Sequence, residues 1–194
     1  MAVTLSATTS LLWATRVFGR TSPAELARLA EDANIESAPL FLPHLDGERT
    51  PHNDAGARGM FFGLSTRTSL ADMAYSVLEG VAFSLADGYE ALRATGTRIT
   101  EAVIVGGGSK SRFWGSLVAS ICGFPLARPT QADLAGAIGA ARLARVATTG
   151  EPIDRVCVAL DAADTIRPTS GLAQRMAPRH ERYKRLYAST RGLL

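Results

Sequence analysis

The chain has 194 residues, of which 46% are hydrophobic and 20% charged, with a formal net charge of +3 at pH 7. That balance excludes a disordered polymer and is enough for one substantial core, so a single domain is expected. The longest uncharged runs, residues 1–15 and 113–127, are about fifteen residues each, short of the roughly twenty a membrane span needs; the first also lacks the basic start of a signal peptide, so neither reads as a membrane or export element.

A first helix is expected over about residues 5–19, with Leu11, Leu12, Val17 and Phe18 as its bulk and Gly19 as its stop. A second begins at Ser22, with Pro23 in the first helical position and Leu26, Leu29 and Ala30 along one side. Residues 39–42 read as a short strand, followed by a long polar loop from His44 to Arg58, and loops of that length inside compact domains are often functional. Ser69 followed three residues later by Asp72 is a capping box with Asp in place of Glu. Leu70, Met73, Val77, Leu78, Val81, Leu85 and Leu92 then recur at helical spacing, which predicts a long helix over residues 69–94 with one buried stripe.

A strand over 102–105 runs into three glycines, and the helix after them places Trp114, Leu117, Val118 and Ile121 on one face. A short strand over 125–127 leads to a helix over 133–147. There Ala135, Gly136, Gly139, Ala140 and Leu143 form a small-residue face beside Leu134, Ile138 and Ala141, so close neighbours on both sides and a central position are expected. The basic excess near the C-terminus, Arg175, Arg179, Arg182, Lys184, Arg185 and Arg191, reads as a helix with a solvated face, and a nucleic-acid partner is not expected. Cys122 and Cys157 give no disulfide framework and no metal-ligand spacing, which fits a reducing, cytoplasmic setting. Helices alternating with short strands argue an α/β arrangement.

The strongest chemical signal is the run Val103-Ile104-Val105-Gly106-Gly107-Gly108-Ser109-Lys110-Ser111. A strand ending in glycines before a helix gathers bare backbone N–H groups where a phosphate, ribose or base can approach. Neither common phosphate fingerprint fits: Lys110 follows Ser109 rather than glycine, and Ser111 stands where a dinucleotide loop needs a third small residue. The bend therefore stands as either a nucleotide contact or a plain tight turn. His44 and His52 flank Asp46 and Glu48, which suits either a metal site or, with more weight, a polar surface loop. Asp54 is a weak candidate for a general base, Asp133 reads as a helix cap, and no nucleophile motif is present.

Further residues carry a resemblance. Gly59, Phe61, Gly63, Leu64, Asp72, Met73, Ser76, Val77, Leu78 and Glu79 reproduce in order the second signature of the FGGY carbohydrate kinases. Residues 41–53 resemble the loop typical of the xylulokinase branch, residues 106–111 resemble the family's adenosine loop, and residues 133–147 its small-residue helix. The likeness covers nearly the whole chain. It implies a partial α/β domain of ribonuclease-H-like (actin-like ATPase) type, a mixed sheet with packed helices. Residues 1–194 would be the C-terminal nucleotide-binding domain of such a kinase, with the N-terminal domain and the start of the second domain absent.

The resemblance implies transfer of the ATP γ-phosphoryl group to a ketopentose, D-xylulose to D-xylulose 5-phosphate, with Mg²⁺ as cofactor and ATP or ADP as ligand. Its adenosine side would comprise Gly106, Gly107, Gly108, Ser109, Ser111 and Arg112, joined by Ala7 and Thr8 at the start of the first helix. Gly107 and Gly108 would let the backbone approach the nucleotide, and Ser109 and Ser111 would open the following helix. Arg112 stands where some relatives carry an asparagine near the adenine, and Thr8 is β-branched where relatives often have a glycine. The catalytic aspartate and the Gly-Thr phosphate segment have no counterpart, so no residue is assigned as catalytic or as a metal ligand. The isolated chain is therefore expected to be inactive as a kinase, and sugar binding to need the missing half. An alternative reading is an interaction module that docks with a separately encoded N-terminal half; the assemblies expected are a homodimer or that complementing pair, with no membrane partner.

Overall fold

The computed structural model describes residues 1–193. The Ser22 hydroxyl accepts the Glu25 N–H and Pro23 takes the first position, so α2 (Pro23–Ala30) starts where its sequence says it should. The preceding helix, α1 (Thr8–Val17), is shorter than its apolar pattern suggested and begins at Ala7 with no side-chain cap. Three residues of strand, β1 (Leu40–Leu42), pair antiparallel with β2 (Met60–Phe62), so that Phe41 faces Phe61. β2, only three residues long, follows from no pattern in the sequence.

The body of the domain is built around α3 (Leu70–Ala94), whose capping box is complete: Asp72 N–H donates to Ser69 Oγ at 3.1 Å and Ser69 N–H to Asp72 Oδ2 at 2.9 Å. Its burial corrects the expectation of one stripe. Almost every residue from Ala74 to Gly88 is buried, and Val77, Leu78, Val81, Ala82 and Phe83 are wholly enclosed. A helix apolar on all sides is a core helix, and here α2, α4 (Arg112–Cys122), α7 (Leu172–Thr190) and β1 pack around it. Gly80 is where β1 comes closest, because a side chain there would collide with the Phe41 carbonyl.

A second layer is a three-stranded sheet in the order β3 (Ala102–Val103), β4 (Leu126–Pro129), β5 (Ala162–Ile166). The first pair is parallel and the second antiparallel, so the sheet is mixed. β3 stops two residues short of its predicted end, and β5 was not foreseen. Between β4 and β5 lie α5 (Ala135–Thr149) and the short α6 (Ile153–Val156).

Two expectations fail around α5. The helix has no buried residue, although its small-residue faces argued for a central place. Its main neighbours among the described residues are α6 and the 3₁₀ turn at Ala132–Leu134, so those faces lie open to solvent. Asp133 does not cap it either: Leu134 occupies the N-cap position with no side-chain bond, and the Asp133 carboxylate pairs with Lys110 at 2.8 Å. The basic C-terminal run does lie on a helix, α7, with Arg191 just past its end, but Arg179 faces inward and is 6% exposed.

Candidate functional site

The glycine bend forms one wall of a cleft of about 680 Å³. Across from it stand Thr8, Leu11 and Leu12 of α1 together with Pro23, Ala27 and Arg28 of α2. On the side of the bend the lining includes Gly107, Gly108, Lys110, Ser111, Arg112 and Trp114. The first turn of α1, which has no side-chain cap, therefore borders the cleft at Thr8 and Leu11, and a helix start is a favourable setting for an anion or a polar ligand edge. Of its lining cations, Lys110 and Arg112 are paired to Asp133 and Asp164, while Arg28 has no acidic partner among the described residues.

The three glycines have three different physical reasons. Gly106 sits at φ +83°, a region L side chains avoid, and donates its N–H to the Ala132 carbonyl at 2.7 Å, fixing the bend to the turn before α5. Gly107 has nothing within 4 Å of where a side chain would start, so its backbone is open to a ligand. Gly108 turns the other way, and a methyl group there would run into the Trp114 indole, so this glycine serves packing. Trp114 is itself fixed from below, its Nε1–H donating to the Leu78 carbonyl of α3 at 3.0 Å.

The two serines also divide. Residues Gly107–Lys110 form a 3₁₀ turn, and Ser109, 2% exposed, closes it by donating its hydroxyl to the Gly106 carbonyl at 2.7 Å. Ser111 caps α4, accepting the Trp114 N–H at 3.1 Å. Ser109 therefore does not open the following helix, but it shapes the bend that precedes it. Arg112 is ion-paired to Asp164 on β5, whose carboxylate also holds Arg128 in two contacts of 2.9 Å. Lys110 holds the Asp133 carboxyl below its usual range, first by hydrogen bond and then by charge.

Of the eight positions the sequence pointed to, Thr8, Gly107, Gly108, Ser111 and Arg112 line the cleft, whereas Ala7, Gly106 and Ser109 are outside its lining. Sequence reasoning missed Lys110, Trp114 and the whole α2 wall. The signal for α2 was confined to its cap and its apolar spacing, which speak of helix and not of ligand.

The long polar loop is more buried than expected. His44 and Glu48 are each 1% exposed, which overturns a plain surface loop for those two. Glu48 accepts from Thr4 Oγ1 at 2.8 Å, Leu5 N–H at 3.1 Å, Arg49 N–H at 2.7 Å and Ser84 Oγ at 3.1 Å, with His44 Nδ1 at 3.2 Å. One carboxylate thus ties the segment leading into α1 to the loop and to α3. Burial pushes its pKa up, but the hydrogen bonds from His44, Thr4 and the Arg49 backbone win and hold it at about 2. His52 stacks on Tyr187 with ring centres 3.7 Å apart, and no group of three or more His, Cys, Asp or Glu suited to a metal ion occurs among the described residues. Asp54 is occupied as an acceptor: Gly56 and Ala57 N–H groups bind one oxygen and the Tyr187 hydroxyl, at 2.9 Å, the other.

No helix among the described residues is long and apolar enough to cross a membrane. Against known proteins, residues 6–148 match the C-terminal domain of the FGGY family of carbohydrate kinases. The xylulose kinase of Escherichia coli strain K12 is 37% identical over 189 residues, covering 96% of this chain and 39% of that protein. The xylulose kinase of Klebsiella pneumoniae is 38% identical over 197 residues, covering 100% of this chain and 40% of its own length. The chain thus spans about two-fifths of the curated relatives it matches. Among solved structures, a xyloylose kinase from Brucella ovis superposes with a TM-score of 0.88 at 39% identity, over 100% of this chain and 40% of that one. A ligand-bound xylulose kinase from Lactobacillus acidophilus gives 0.83 at 26% identity, over 97% and 39%. These neighbours share the actin-like ATPase fold of mixed sheet and packed helices. With the ordered signature around α3, the glycine bend and these matches in agreement, the chain belongs to the FGGY family of carbohydrate kinases and carries the family's C-terminal domain.

Proposed function

We propose that this chain supplies the adenosine side of an ATP-dependent, xylulose kinase-like enzyme, and that it is not competent as a kinase alone. The whole reaction would move the ATP γ-phosphoryl group to a hydroxyl of D-xylulose, giving D-xylulose 5-phosphate. The supporting observation is the cleft, in which the open backbone of Gly107 faces the uncapped start of α1 and the wall of α2. Such a wall can seat a purine nucleoside against apolar side chains, with backbone N–H groups and the Arg28 cation available to its polar edge.

Phosphoryl transfer depends on positioning and charge stabilisation, so a lobe without a base for the sugar hydroxyl leaves most of the barrier in place. Mg²⁺, which keeps several of its waters and binds largely through substrate phosphates, would be carried into the cleft on the ATP. Titration calorimetry with ADP tests the lobe: the chain binds, and Gly107→Val, whose added Cβ meets no neighbour within 4 Å, weakens binding at least about tenfold, with circular dichroism checking the fold. Equal affinity of the two proteins would remove the assignment. A coupled assay with ATP and D-xylulose tests the second part, and robust turnover by the chain alone would refute incompetence.

A second reading is docking onto a separately made N-terminal half. It is favoured by the outer edge of β3, which has no strand partner among the described residues, by the exposed Val103 on it and Val105 just beyond it, at 60% and 49% exposure, and by the open faces of α5. Co-expression with the N-terminal three-fifths of a xylulose kinase should give a soluble, active complex; two polypeptides that never co-purify would argue against it.

A further inference from the structure

A second groove of about 740 Å³ lies between α7, the β1–β2 hairpin and residues 36–39, and shares no lining residue with the cleft. Its floor is apolar, with Met60, Leu186 and a Phe62 that is 57% exposed. Its rim carries Arg67, Arg182 and Arg185, all exposed. None of these three guanidiniums meets a carboxylate or donates a hydrogen bond among the described residues, although their neighbours Arg175, Arg179 and Lys184 all have acidic partners. The groove's single lining carboxylate, Glu36, is already engaged by Arg175 at 3.8 Å.

The walls are held in place independently of any ligand. Arg179 clamps Glu79 of α3 through two contacts of 2.6 and 2.7 Å and donates to the carbonyls of Ile35, Ala38 and Pro39. That one side chain fixes α7, α3 and the 35–39 segment relative to one another, so an occupant would meet a preformed groove at little ordering cost. Past Met60 and Thr190 the groove continues into a depression of about 530 Å³ that adds Arg58 and Arg191. Its length suits an extended chain better than a compact ion.

We propose that this groove docks an acidic, amphipathic segment of a partner protein. Guanidinium forks recognise carboxylates in paired contacts, and three of them crowded on one rim repel each other until an anion arrives. The exposed Phe62 and the Met60–Leu186 floor give an apolar residue between the acidic ones somewhere to go, which an inorganic anion would leave unused.

The test is fluorescence anisotropy with the full chain and a fluorescein-labelled peptide of alternating Glu and Leu. Binding is expected, weakening with added salt, falling about tenfold in Arg182→Gln/Arg185→Gln as two exposed ion pairs are lost, and falling again in Phe62→Ser. Arg98→Gln, on an exposed residue outside the groove, should leave it unchanged. All these positions are exposed, so circular dichroism should show intact folds. The proposal is overturned if the chain does not bind the peptide, if the double variant binds as well as the parent, or if an alternating Glu and Ser peptide binds equally. Displacement of the probe by inorganic phosphate would also overturn it, in favour of a small-anion site.

Discussion

Replacing Glu48 by glutamine should remove the largest single contribution to the acid sensitivity of this domain. The carboxylate is buried, accepts from four hydrogen-bond donors and a histidine nitrogen, and titrates at about 2 in place of the usual 4.5. A carboxyl whose pKa is depressed by folding adds stability above its unfolded value and loses it as pH falls toward the folded one. With each unit worth about 1.4 kcal/mol, the shift corresponds to roughly 3 kcal/mol, all present at pH 7 and withdrawn between about pH 5 and pH 2. That is a large part of the 5–15 kcal/mol typical of whole domains. Glu48→Gln should therefore be less stable than the parent by about 3 kcal/mol at neutral pH, with the gap closing as the solution is acidified. Urea unfolding followed by circular dichroism at several pH values measures both curves. A gap that stays constant from pH 7 to pH 3 would show that Glu48 is not the titrating group, and the account of this anchor would be wrong.

Three further outcomes follow from the packing. Arg179→Met strands Glu79 in the core and should cost about 4 kcal/mol, whereas Glu79→Met/Arg179→Met should recover at least half of that in denaturant titrations, because the lone buried charge is gone. Gly80→Ala should destabilise by about 2 kcal/mol despite the better helix propensity of alanine, since the added methyl meets the Phe41 carbonyl; Gly136→Ala, in open space on α5, should instead stabilise by about 0.5–1 kcal/mol, both read as shifts in Tm. Exposed Cys157 should react promptly with a thiol reagent while half-buried Cys122, whose thiol burial pushes up to about 12, reacts far more slowly, so mass spectrometry after brief labelling should find one label on the native chain.

What could be read in the sequence was what is decided locally. The Ser69–Asp72 box and the Ser22–Pro23 start are contests between neighbouring residues, and both helices begin where those contests are won. β2 and β5 were invisible because three and five residues of modest strand character become strands only by pairing with partners far along the chain. α5 was misplaced for a related reason: small residues at helical spacing state that a close neighbour is permitted, not that one is present. Arg179 read as one more basic residue on a wet helix because its partner, Glu79, lies 100 positions away. In the cleft, the glycine bend was legible as a place for a ligand, but the division of labour among Gly106, Gly107 and Gly108 depended on Trp114 and Ala132 approaching from outside the motif.

The placement of the aromatic residues gives the domain a built-in optical signal. Of its two tryptophans, Trp13 is stacked against Phe41 and Phe61, at ring distances of 5.7 and 6.4 Å, and belongs to the hairpin side. Trp114 lies directly under the glycine bend with its indole nitrogen already committed to α3. Its emission is therefore set by how the bend and the start of α4 sit above it. In a Trp13→Phe protein the remaining fluorophore would watch the cleft without any added dye.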